Sequence, residues 1–263
     1  MKIRIYQVDA FTSRVFGGNP AAVCRLDEWL EDDILQSIAN ENNLSETAFF
    51  VGSGSHYSIR WFTPTSEVDL CGHATLASGY VISRILGEGS HSIHFSSATG
   101  DLTVLCGGER LCLDFPSRPG KEVECPEMLR EVLGIEPIET LLSRDYLAIL
   151  ESEESVRTVS PNLNLLKKLE ASGVLISAPG NECDFVSRCF FPRFGVPEDP
   201  VTGSAHCTLI PYWANRLNKN ELYCRQISAR GGDLWCELRG DRVYIGGDCI
   251  LYLTGEILLP DKR

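Results

Sequence analysis

Residues 59–64 read IRWFTP and residues 187–192 read SRCFFP, with arginine, phenylalanine and proline at the same three places. Arg60, Phe62 and Pro64 thus recur as Arg188, Phe190 and Pro192, a displacement of 128 residues. Further on, Gly72 and Ala74 recur as Gly203 and Ala205 at a displacement of 131, and GDL at 100–102 recurs at 232–234 at 132. Glu109-Arg110-Leu111 is echoed by Asp241-Arg242-Val243 at that same displacement. A register that drifts by only a few inserted residues over about fifty positions marks an internal repeat, and two copies are too few for a solenoid. The expectation is a pseudo-twofold pair of domains, 1–117 and 118–263, with the polar stretch Ser117 to Glu124 as the boundary. Such a pair usually has one cleft between its halves, where ligands bind.

Outward from the repeat, short strands mix with a few helices, an α+β pattern. KIRIYQV at 2–8 alternates and is rich in β-branched residues, whereas Asp32 to Asn40 carries Ile34, Leu35 and Ile38 at helical spacing and stops at Asn42-Asn43. TAFFVG then reads as a strand. In the second copy, Ser160 before Pro161 starts a helix, NLNLLKKLEAS supplies it, and Gly173 ends it before the strand VLISA.

Two uncharged runs follow the matched phenylalanines. GHATLASGYVIS occupies 72–83 and PVTGSAHCTLIPYWAN occupies 200–215. A helix that is apolar on every face is a buried one, so each half is expected to wrap strands around a central helix, the second kinked at Pro211. Small residues, Gly72, Ala74, Gly203, Ser204 and Ala205, occupy the first turns. There the unpaired backbone N–H groups and the positive dipole end can approach an anion closely, and the matching places in a repeat favour an anion site over mere tight packing.

The chain has 263 residues, 43% of them hydrophobic, and a formal net charge of -12. Its longest like-charged stretch is Glu31-Asp32-Asp33, so nucleic acid and anionic membranes are not the expected partners. The start, MKIRIYQVDAF, lacks the apolar core of a signal peptide, and no uncharged apolar run approaches the roughly 18 residues of a membrane span. A soluble cytoplasmic protein is expected. The 11 cysteines are odd in number, scattered, and never in C-x-x-C spacing, which points to reduced, mostly buried thiols. His91 and His94 have no nearby carboxylates or cysteines to complete a metal site, and neither a P-loop nor G-x-G-x-x-G nor G-x-S-x-G is present. No metal site is therefore expected, and nucleotide binding has no support.

GGNPAAV at 17–23, NLSETAF at 43–49, CGHAT at 71–75 and EDPVTGSAH at 198–206 resemble, in order and spacing, the signature stretches of the phenazine-biosynthesis PhzF-like isomerases. The resemblance covers essentially the whole chain. It implies a diaminopimelate-epimerase-like fold: two pseudo-symmetric domains, each a curled sheet around a central buried helix. It also implies a cofactor-independent isomerase acting on a small carboxylated cyclic amino- or hydroxy-acid, with a possible homodimer. The glutamate of the SET motif, here Glu46, would move the proton, with His73 and Asp199 assisting. Gly72, Gly203 and Ser204 would hold the substrate carboxylate by their backbone, and Asn19 is counted with them as substrate-binding.

The residue types suit that chemistry. Shifting a proton between two carbons next to an unsaturated system needs one group that removes and returns it, and a carboxyl held in an apolar cleft is tuned toward that task. Each assignment has a plainer rival: Glu46 as an exposed residue at a strand entrance, His73 as an inert hydrogen-bonded helix residue, Asp199 as a cap or turn former before Pro200. Related epimerases use one cysteine at each helix start. Here Cys71 fills the first place and DPVTG has no thiol in the second, so two-thiol racemisation is disfavoured. A one-thiol mechanism through Cys71, at a helix N-terminus where thiol pKa values fall, stays open, as does a non-catalytic binding or interaction role. Cys207 is read as core.

Overall fold

The computed structural model of the chain describes residues 1–89 and 91–260. It forms two compact units: Met1–Asp114 together with the chain from Gly246 onward, and Phe115–Ile245. The division differs from a simple cut between 117 and 118. The last strand, Cys249–Leu258, pairs antiparallel with the first, Lys2–Ala10, from Ala10↔Cys249 to Lys2↔Leu258, and so belongs to the first unit. The reason is an open edge: Lys2–Ala10 offers one side to Asn19–Leu26, and its other row of N–H and C=O groups needs a partner.

Within the first unit, Asn19–Leu26 runs parallel to Glu46–Ser53, with the helix Asp32–Asn42 as the crossover. Glu46–Ser53 pairs antiparallel with His56–Phe62, which in turn lies parallel to Ser92–Ser97 across the central helix Gly72–Tyr80. Ser92–Ser97 closes a hairpin with Gly100–Leu105. The second unit repeats every step. Tyr146–Ile149 runs parallel to Val174–Pro179, which pairs antiparallel with Phe185–Phe191. Phe185–Phe191 lies parallel to Glu221–Gln226 across the central helix His206–Leu217, and Glu221–Gln226 pairs antiparallel with Gly232–Arg239.

The repeat extends to chemistry. Arg60 grips Glu67 with Nε and Nη2, both at 2.7 Å, while its guanidinium lies 5.1 Å over the Phe62 ring. Arg188 grips Glu198 the same way, at 2.7 and 2.9 Å, 5.0 Å over Phe190. These are the arginine and phenylalanine of the two hexapeptides.

Local structure follows the sequence with two adjustments. Asp32–Asn42 buries Leu35, Ile38 and Ala39 and ends at Asn43, whose left-handed φ of 49° and N–H to the Ala39 carbonyl close the last turn. The expected helix after Pro161 shrinks to Leu163–Leu166, capped by the Asn162 side chain accepting from Asn164 N and Leu165 N. Beyond Leu166 the chain tightens into i→i+3 turns, Lys168 N to the Leu165 carbonyl and Leu169 N to the Leu166 carbonyl, and Arg193 donates to the Lys167, Glu170 and Ala171 carbonyls. The central helices are buried as expected, with every residue from Gly72 to Gly79 out of solvent. Gly79 is there because a Cβ would stand 2.7 Å from Val104 Cγ1. In the second, Pro211 cannot donate to the Cys207 carbonyl four residues back, and the Arg118 N–H takes that acceptor at 2.8 Å. Gly203–Ala205 form a separate 3-10 turn, so this helix proper begins at His206. No helix among the described residues is long and apolar enough to cross a membrane.

Candidate active site

In the first unit, backbone strain and strand register carry four polar side chains together. Gly18 turns the chain at φ +60°, where a Cβ would meet the Ala10 carbonyl at 2.1 Å, and the turn drops Asn19 into the core, fully buried. Glu46 is the register partner of Ala21 in the parallel pair, at the head of its strand. Cys71 is the last extended residue before the central helix and His73 lies in that helix's first turn.

His73 is the hub. Its Nε2 lies 3.3 Å from Glu46 Oε2, and its Nδ1 lies 3.2 Å from Asn19 Nδ2 and 3.5 Å from Cys71 Sγ. Burial pushes the imidazole pKa down to about 3, against a smaller opposing effect of the Pro20 carbonyl, so the ring is neutral near pH 7. Nε2 and Glu46 Oε2 face each other at 3.3 Å without the alignment of a hydrogen bond, and Nδ1 lies within hydrogen-bond distance of the Asn19 amide. Glu46 keeps 15% of its side chain exposed and His73 only 5%. The carboxyl therefore stands between a buried imidazole and the open side of the site. This arrangement can hold and hand over one proton.

Glu46, Cys71 and His73 also offer ligand atoms within 4.8 Å of one another, the spacing of a metal trio. The thiol and the carboxyl, however, approach different nitrogens of the ring, which suits a relay through the imidazole better than one nitrogen shared with a single ion.

The second unit builds a different group at the corresponding place. The displacement that takes Gly72 to Gly203 takes Cys71 to Thr202 and His73 to Ser204. The Thr202 hydroxyl donates to Asp199 Oδ2 at 2.5 Å, and His206 Nδ1 donates to the Thr202 carbonyl at 2.9 Å. Burial holds His206 neutral, its pKa down to about 4. No carboxylate matches Glu46. Thr47 pairs with Phe62 and Val174 with Phe190, so the partner position of Glu46 is Gly173, where a Cβ would lie 2.3 Å from the Phe191 ring.

Of the residues singled out in the sequence, Glu46, His73, Cys71, Asn19 and Gly72 gather in the first unit, and Asp199, Gly203 and Ser204 in the second. Asn19 is the partner that fixes the His73 ring, a task its motif did not disclose. Cys207 is core, 1% exposed, with its thiol pushed up to about 12. All 11 cysteines are free. Thr202 was missed, although the displacement of 131 points straight at it. Gln226, whose buried amide accepts from Thr202 N and donates to the Asp199 carbonyl, carried no local signal.

The sequence profile of the phenazine biosynthesis-like proteins, PhzC-PhzF, matches residues 8–255. A protein of Pseudomonas aeruginosa named an uncharacterized isomerase is 52% identical over 260 residues, covering 98% of this chain and 100% of its own. The crystal structure of a PhzF-family protein of Enterococcus faecalis is 46% identical and superposes with a TM-score of 0.96, covering 98% of this chain and 100% of that one. A hydroxyproline epimerase of Agrobacterium vitis, 9% identical with a TM-score of 0.62 over 99% of this chain and 93% of its own, shares the fold alone. The two curled halves are therefore of the diaminopimelate-epimerase-like type.

Proposed function

The chain belongs to the PhzC-PhzF family of phenazine biosynthesis-like proteins, and on that premise we propose that this isomerase shifts a proton within a small carboxylated substrate, a cyclic amino- or hydroxy-acid, with Glu46 as the acid–base group and no cofactor. One observation carries the reading: a glutamate carboxyl 3.3 Å from the buried, neutral imidazole of His73. In the ionised state Glu46 accepts the proton of a C–H bond. The electron pair of that bond moves into the adjacent unsaturation, and the carboxylic acid returns the proton to the far carbon, so no atom is gained or lost. The neutral His73 ring stands against the carboxyl while the proton moves, and Asn19 holds that ring in place. We propose Asp199 as an assisting residue and the Gly72, Gly203 and Ser204 backbones as carboxylate-holding groups. A homodimer is part of the proposal, and a monomer by light scattering removes it.

A second reading is favoured by Cys71 Sγ, 3.5 Å from His73 Nδ1: a one-thiol epimerase in which the imidazole activates the thiol. NMR in D₂O with a panel of cyclic and acyclic amino- and hydroxy-acids, including dihydro-hydroxyanthranilate, separates the two. Deuterium uptake by wild type and Cys71→Ala but not by Glu46→Gln supports the carboxylate. Loss in Cys71→Ala alone transfers the role to the thiol. Equal binding of a panel member by wild type and Glu46→Gln, with turnover by neither, makes the protein a binder.

A further inference from the structure

Gln226 is fully buried at the end of the strand Glu221–Gln226, and three of its four amide links go to one loop, at Asp199 and Thr202. Its Oε1 accepts from Thr202 N at 2.8 Å and from Cys189 Sγ at 3.6 Å. Its Nε2 donates to the Asp199 carbonyl at 2.7 Å and to Thr202 Oγ1 at 3.2 Å. Thr202 in turn donates to the Asp199 carboxylate. A buried amide with all four links made is costly to place and hard to replace, because any shorter or apolar side chain strands the groups it served.

The first unit shows what the loop needs merely to stay in place. There the Thr99 hydroxyl donates to the Asp69 carbonyl at 2.8 Å, and in the second unit the Ser228 hydroxyl donates to the Pro200 carbonyl at 2.7 Å. Sheet register equates Ser97 with Gln226, since Ser97 pairs with Gly100 and Gln226 with Gly232. The hydroxyl tie is therefore common to both halves, two residues past the equated position. Ser97, however, spends its own hydroxyl within its hairpin, on the Gly100 carbonyl at 2.7 Å. The buried amide is an addition of the second half, and apart from its contact with Cys189 its links converge on Asp199 and Thr202.

We infer that Gln226 is a positioning residue that fixes the Asp199 carboxylate through Thr202 for the isomerisation, an inference that rests on the reading of Asp199 as an assisting residue. The test is a double-mutant cycle on turnover of whichever panel compound wild type converts, joined to a readout that needs no substrate. Gln226→Leu lowers kcat by about 10²-fold with KM little changed, the scale of a misplaced catalytic group. In the Asp199→Asn background the same change costs almost nothing more, since it acts through Asp199. Should Gln226→Leu fail to fold, Gln226→Glu, which keeps the acceptor for Thr202 N and loses both N–H donors, runs the same cycle. In the free protein, the ¹³C resonance of the Asp199 carboxyl shifts in either variant. Wild-type turnover in Asp199→Asn overturns the parent reading and this inference with it. Impairment of Asp199→Asn without impairment of Gln226→Leu, additive losses in the cycle, or an unmoved Asp199 resonance overturns this inference alone.

Discussion

The two central helices follow matched loops of the repeat, yet the side chains gathered around them differ. At the first, a thiol, an imidazole and an amide surround a carboxyl that comes from a strand head. At the second, a hydroxyl is hydrogen-bonded to a carboxylate three residues upstream, and a buried amide ties the two. The scaffold explains how one repeat tolerates both. Strand register, the Arg–Glu brackets and the hydroxyl ties are common to the halves, whereas the functional groups sit at strand heads and helix starts, where side chains are not required by the ladder. The clearest divergence is Glu46 against Gly173. One half presents a carboxyl where the other has an aromatic ring too close for any side chain.

The comparison breaks first at Glu46. Glu46→Gln should lower isomerisation or deuterium exchange by about 10³-fold, roughly 4 kcal/mol of barrier, with an unchanged denaturant midpoint. Retained exchange would move the proton-transfer role elsewhere in the first unit.

Acid probes the two buried histidines next. Burial puts His73 and His206 below the usual histidine value in the folded state, to about 3 and about 4, so between there and about 6.5 the unfolded chain binds more protons. Stability is then full above that window and is lost as pH falls through it, by about 3 kcal/mol for His206 alone. Urea midpoints at neutral pH and near pH 5 measure this, and His206→Gln should flatten part of the slope. A wild-type midpoint that does not move would contradict neutral burial.

Gly173→Ala asks whether the missing carboxylate is a steric matter. A methyl group against the Phe191 ring should cost about 2 kcal/mol in equilibrium unfolding, the size of an overpacking penalty. Full stability would mean that the second half has room for a side chain and lacks it for another reason.

The smallest effect comes from the brackets. Arg188 also donates to the Val156 and Val159 carbonyls near the end of the helix Glu153–Thr158, while Arg60 reaches the exposed Asp32 and lies over the Trp29 ring. Arg188→Lys should therefore cost about 1–2 kcal/mol and Arg60→Lys under about 1, because lysine keeps the charge but loses the bidentate fork. Equal losses would show that the two brackets do the same work.

The motif resemblance singled out Glu46, Cys71, His73, Asp199, Gly203 and Ser204 as candidates, and the repeat and the buried central helices were legible in the sequence, because periodicity and small-residue helix starts are local properties of a chain. Three features were not. The last strand joined the first because an open edge needed a partner, and no local pattern says which strand will supply it. The short helix after Asn162 gives way to turns whose carbonyls are met by Arg193, distant in sequence. Gln226 met Asp199, and Asn19 met His73, only when strands and loops far apart in the chain were laid side by side. Side-chain chemistry and backbone propensity are fixed by the residue and its neighbours, but which donor meets which acceptor in a dry interior is decided by the packing of the whole unit.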